Sequence, residues 1–172
     1  MIRPIAETTL ASDAASIDFI SIAADWSHLM LATMGRSSQA ASTLESVNAR
    51  FNNDGAANYD QQDIRGTGAS ATATEGLAGT SIAIGQVPAA SAPANVFGPT
   101  LALIPSYAHA TPQKAMVALG GLKWGTTTGT LRFRAAAGFW RSAAAINQIT
   151  LLLSAGNFAA GTRVTLYGMG GI

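Results

Sequence analysis

The sequence predicts an all-β fold, an antiparallel β-sandwich of about ten short strands, and three features lead to that class. Helical periodicity is nearly absent along the 172 residues. Apolar segments of strand length recur at short spacing, separated by clusters of Gly, Pro, Asn and Ser. Where alternation is clean it has a period of two: in Thr130 to Ala135, Leu131 and Phe133 fall on one face and Arg132 and Arg134 on the other. On this pattern the Leu131 face belongs to the core, and the arginine face is wet or meets a partner.

Taken in order, the expected strands are Ile17 to Ile22, Leu29 to Met34, Val47 to Phe51, Tyr59 to Ile64 and Ser81 to Ile84. They continue with Thr100 to Ile104, Lys114 to Leu122, Thr130 to Ala135, Ile146 to Leu153 and Arg163 to Tyr167. The last two form a compact unit, with a tight turn at Ser154 to Asn157, Phe158 as an apolar plug, and Val164 and Leu166 facing inward. Residues 1–15 read as a short arm ahead of a single domain spanning 1–172, a length that supports a sizeable core. Gly66 to Gly79 (GTGASATATEGLAG) and Gln86 to Asn95 (QVPAASAPAN) read as surface loops, mobile or held by a neighbour.

Charged residues are only 11% of the chain, against about 25% in ordinary globular proteins. Interface cores are depleted in charge, so the composition suggests an exterior partly covered by other subunits; a biased alanine-rich composition is the alternative. All nine carboxylates lie in the first 75 residues against four arginines, a net −5. The remainder has six cations and no acid, a net +6. Either the two segments interleave within one domain, or an acidic face of one subunit meets a basic face of the next. The cations Lys114, Lys123, Arg132, Arg134, Arg141 and Arg163 are too dispersed for a nucleic-acid stripe. No apolar run has the length of a membrane span or of a signal-peptide core, so a soluble protein without an export signal is expected. With no cysteine there is neither a disulfide framework nor a thiolate nucleophile.

Catalytic motifs are weak. Gly66, Gly68 and Ala71 imitate a dinucleotide fingerprint, but no helix pattern comes after them to hold a pyrophosphate. Asn52, Asn53, Asp54 and Gly55, with Asn58, Asp60 and Asp63, could present oxygens to calcium, although the spacing is not that of an EF-hand. The same Asn-Asn-Asp-Gly run suits a tight hairpin turn. His28 and His109 are too few for a multi-histidine metal site, and Ser37 and Ser38 lack a nucleophile elbow. An enzyme is therefore not expected, and neither is a cofactor or a resident metal. Among the aromatics, Trp124 beside Gly125 and a Thr-rich turn is the candidate for exposure. Trp124, Tyr107, Arg132 and Arg134 are the candidate contacts for a glycan or a protein partner.

Three stretches carry a resemblance beyond composition. Ala15, Ser16, Asp18 and Phe19 are followed by His28 and Leu29; then come Arg50, Phe51, Asn52 and Asp54, and Tyr59. The end has Trp140 and Arg141, then Ile146, Ile149 and Leu151, then Gly156, Asn157 and Phe158, and finally Leu166, Tyr167 and Gly168. In this order the chain resembles a family of tailed-bacteriophage virion structural proteins. The resemblance implies a jelly-roll-like sandwich, free-standing or an end module of a minor tail protein. It implies a place on the exterior of the particle, as capsid decoration, head fibre or tail subunit, made in the host cytoplasm. Its partners would be itself, as a homo-oligomer and often a trimer, and other capsid or tail proteins. It supplies no catalytic residues. The rival expectation is a carbohydrate-binding adhesin that recognises the host cell surface.

Overall fold

A computed structural model describes residues 1–68, 70–127 and 129–171. Ala69 of the small-residue segment, Thr128 of the threonine turn and Ile172 lie outside the described residues. The fold is all-β, as expected, with two antiparallel sheets and no helix among the described residues; consequently none is long and apolar enough to cross a membrane.

The strands are β1 (Ile2–Thr9), β2 (Ser16–Phe19), β3 (His28–Gly35), β4 (Leu44–Phe51), β5 (Tyr59–Thr67) and β6 (Ser70–Gly79). They continue as β7 (Ile82–Pro88), β8 (Gly98–Pro105), β9 (Lys114–Lys123), β10 (Leu131–Trp140), β11 (Ile149–Leu153) and β12 (Arg163–Met169). The wide sheet has the order β1-β12-β3-β8-β9-β10-β5-β6, and the narrow one β2-β11-β4-β7. Setting aside the hairpins β5–β6 and β9–β10, the remaining eight strands pair in nested fashion: β1 with β12, β2 with β11, β3 with β8 and β4 with β7. This is the connectivity of a long hairpin folded over into two four-stranded layers. Both extra hairpins add to the same edge of one layer. The wide sheet therefore carries a wing, β9-β10-β5-β6, beyond the nested core.

The core lies between the layers, built from Leu29, Leu31, Phe51, Ile84, Ile104, Met116, Ile149, Leu151, Val164 and Leu166. Phe158 is fully buried and bridges to Ala14 and Ser37, the plug expected from sequence. Close approach of β7 to the wide sheet depends on missing side chains. A Cβ on Gly138 of β10 would sit 2.4 Å from Ile82 Cγ2, and one on Gly85 of β7 would lie 2.2 Å from Thr100 Oγ1 on β8.

Several expectations need correction. Residues 2–9 are not an arm: they pair along β12, with a bulge between Pro4 and Ala6. The segment expected as a long loop is largely strand: Gly66 and Thr67 end β5, Ser70 to Gly79 form β6, and every residue from Gln61 to Thr67 has a β6 partner. Small Thr, Ser and Ala side chains obscure a strand that buries little. In the second loop, Gln86 to Pro88 continue β7, and the remainder is tied down by Arg36, whose guanidinium donates to the carbonyls of Pro93, Val96, Ala90 and Ala92. Asn52 and Asn53, both with positive φ, make a tight turn closed by Asp54 N to Phe51 O at 2.9 Å, as the residue types demand. That turn does not join a hairpin; it carries the chain from the narrow sheet to the wide one.

Candidate interaction surface

The alternation of β10 is real, but its faces are reversed. Arg134 is buried between the layers, whereas Leu131, Phe133 and Phe139 point outward and are at least half exposed. The reason lies in what β7 offers the interior. Arg134 Nη1 donates to Gly85 O at 3.1 Å, and Arg132 Nη1 donates to Gln86 Oε1 at 2.9 Å. Asp63 on β5 completes the set, with Arg65 Nε at 2.5 Å and Arg134 Nε at 2.8 Å. A buried arginine needs such partners: Arg134 has the Gly85 carbonyl and the Asp63 charge, although its Nε makes no aligned hydrogen bond. Burial by itself would raise the Asp63 carboxyl, but the hydrogen bond from Arg65 and the charges of Arg134 and Arg65 hold it below the usual aspartate value.

The arginines of the wing thus face inward, and an apolar stripe faces outward, bordered by Asp60, Gln62 and Glu75 on one side and Lys123 beside Leu131. One outward row can be followed across six strands by register: Ala32, Leu101, Leu119, Ala135, Ile64 and Ala73. It contains no polar side chain. Ile64, Leu101, Val117, Leu119, Leu131, Phe133 and Phe139 are each 50–67% exposed, on the order of 600 Å² of apolar surface, at the upper end of what monomers leave open. The face is hollowed to a volume of about 720 Å³ over Ala135 and Ala137, with Val117 and Leu119 on one side and Ile64 on the other.

Of the four candidate contacts, two are withdrawn from the surface. Tyr107 is fully buried, its hydroxyl donating to Ala23 O, and Arg134 is 3% exposed. Neither offers a contact on the chain's exterior. Trp124 is half-buried, directly after β9, with the Arg132 guanidinium 4.8 Å from the centre of its ring. One face of the indole is therefore taken by a cation–π contact.

The acidic run is likewise spent on structure. Asp54 accepts from Ala56 N, Asn58 Nδ2 and Trp140 Nε1 at 2.9, 2.9 and 2.7 Å, and these bonds, that from Asn58 foremost, lower its pKa. Asp60 pairs with Arg141, and Asp63 with two arginines. Among the described residues, no three His, Cys, Asp or Glu side chains are grouped to hold a metal. His28 Nδ1 accepts from Ser106 N at 3.1 Å, and His28 and His109 line one cleft with Trp26 and Ser27. Ser37 is buried and accepts from Gln39 N. Among the described residues, three of the four ion pairs, Asp63–Arg134, Asp60–Arg141 and Glu7–Arg163, join the acidic segment to the basic one. The charge split is interleaved within the subunit.

The outer face is not among the sequence expectations, yet the sequence holds a signal for it. Ala115 to Leu119 (AMVAL) and Leu101 to Ile104 (LALI) are apolar at both parities. Strands buried on both faces read this way.

No protein-family model matches the chain, and no curated protein matches it. Among solved structures it is similar to scytalido-glutamic peptidase, at 11% identity and a TM-score of 0.28, over 93% of this chain and 66% of the peptidase. This chain thus spans slightly less than two thirds of that protein. Toad ovary galectin matches at 5% identity and a TM-score of 0.27, over 89% of this chain and 98% of that one. The VP2 subviral particle of infectious bursal disease virus matches at 12% and 0.15, over 100% and 42%. Likeness at this level bears on neither function nor chemistry.

Proposed function

We propose that the chain is a structural subunit that acts by protein–protein assembly, on the exterior of a bacteriophage particle as capsid decoration, head fibre or minor tail component. One observation supports assembly: the wing turns its apolar side outward and its arginines inward. A face of this size and composition is favourable only when covered, since apolar area removed from water stabilises by about 25 cal/mol per Å². The particle setting rests on the resemblance carried by Ala15 to Leu29, Arg50 to Tyr59 and Trp140 to Gly168. Binding rather than catalysis is the proposed mode of action, and of the adhesin alternative's contacts only Trp124 and Arg132 reach the surface.

Quantitative mass spectrometry of purified particles, scaled to the major capsid protein, tests this reading. Copies by the hundred indicate a head decoration, and a handful indicates the tail. Absence from the particle overturns the proposal.

A further inference from the structure

Resting on the assembly reading, we infer that the outer face of the wing is closed by a second copy of this chain, with β9 of each laid on β10 of the other. The relief of the face argues for this occupant. Column β9 is raised by Val117 and Leu119; column β10 is low at Ala135 and Ala137, between Phe133 and Phe139. Leu119 is the cross-strand partner of Ala135, and Val117 of Ala137. A two-fold axis lying in the interface, along the strands and midway between β9 and β10, exchanges the two columns without changing the row. Leu119 then meets the partner's Ala135, and Val117 meets the partner's Ala137.

Such an interface is isologous and closed, as in most dimers. The Leu119–Ala135 row at its centre has no charge to desolvate; the Val117–Ala137 row ends in Gln62 and Glu75, which lie toward the rim. The exposed apolar area, on the order of 600 Å² before the alanines are counted, approaches the ~800 Å² that each partner contributes to a standard interface. Leu101 and the partner's Ile64 meet at the flanks, where the same axis superposes β8 on the neighbouring β5.

The test is an exchange of knob and hole. Wild type, Leu119→Ala, Ala135→Leu and the double variant are compared by sedimentation equilibrium, with circular dichroism to verify the fold. Both positions face outward, so the core is untouched. Wild type is expected to dimerise, each single variant to weaken the dimer about tenfold or more, and the double variant to return to within about threefold of wild type. Wild type that stays monomeric at ~100 μM overturns the inference; so do single variants that dimerise normally, or a double variant no better than the weaker single. Monomeric protein that is still incorporated into particles separates the two readings: assembly then stands, with a different cover for the face.

Discussion

Arg134 Nε lies 2.8 Å from Asp63 Oδ2, with side chains 3% and 1% exposed, and the Arg65 guanidinium grips the same carboxylate from the other side. Two arginines, Arg65 and Arg134, therefore share one buried acid between the two sheets, with Arg132 nearby on Gln86. Burial and mutual repulsion lower the pKa of Arg132 and Arg134, and Asp63 opposes that trend.

Asp63→Asn leaves these guanidinium groups without their counter-charge. Removing one member of a buried pair costs about 3–5 kcal/mol, and urea unfolding is expected to show a loss of that order. A change below about 1 kcal/mol would mean the cluster behaves as a surface pair.

Acid should unfold the protein through its aspartates. Asp63 and Asp54 have folded pKa values below the unfolded value of about 3.9. Their contribution is present above that value and is lost as pH falls through the lower folded values. The urea midpoint is expected to hold from neutral pH to about 5 and then drop, and the drop should be shallower in Asp54→Asn. A midpoint independent of pH in the acid range contradicts this.

At the alkaline end Tyr59 takes over. Burial pushes its phenol up to about 12, while its hydroxyl accepts from Phe51 N at 3.0 Å and donates to Asp54 O at 3.0 Å. The stability it contributes is complete below the unfolded value of about 10 and fades as pH rises through the folded one. Ultraviolet titration should find one tyrosine that ionises near 12. Tyr59→Phe should cost about 1–3 kcal/mol, because the buried Phe51 N–H loses its acceptor.

Gly138→Ala tests the seat of β7. The added methyl would meet Ile82 Cγ2 at 2.4 Å in a packed interior, for an expected loss of about 1–3 kcal/mol in thermal or urea unfolding. Unaltered stability would show that Ile82 can turn aside.

Salt distinguishes the forces of association. Since three of the four ion pairs among the described residues join the acidic and basic segments within the subunit, self-association is expected to persist in ~1 M salt, where the Debye length is about 3 Å. Dissociation under those conditions would implicate charged faces instead.

The nested core is readable in the sequence because its strands obey simple signals. Ile149 to Leu153 and Arg163 to Met169 carry β-branched and apolar residues between turn formers, and Phe158 is too large to leave exposed beside Gly156 and Asn157. The wing is harder. In β6 nothing larger than Thr, Glu or Leu appears, so the strand is recognisable only through its pairing with β5. In β10 the period is legible and its sign is not. Which face turns inward depends on Asp63, Gly85 and Gln86, far away in sequence. Tyr107 departs from expectation for a related reason: a loop position says nothing about a backbone carbonyl, that of Ala23, placed to receive a buried hydroxyl.

The pairing of Ile2 with Met169 brings residues from opposite ends of the chain together on one margin of the wide sheet, while β6 forms the other margin. Seven interstrand steps of about 4.8 Å separate the two margins, a distance of roughly 34 Å. A peptide or reporter joined at either end would hang from the margin remote from the hollow, as from a handle. The fold thus offers engineers a grip outside the apolar row, which begins at Ala32 on β3.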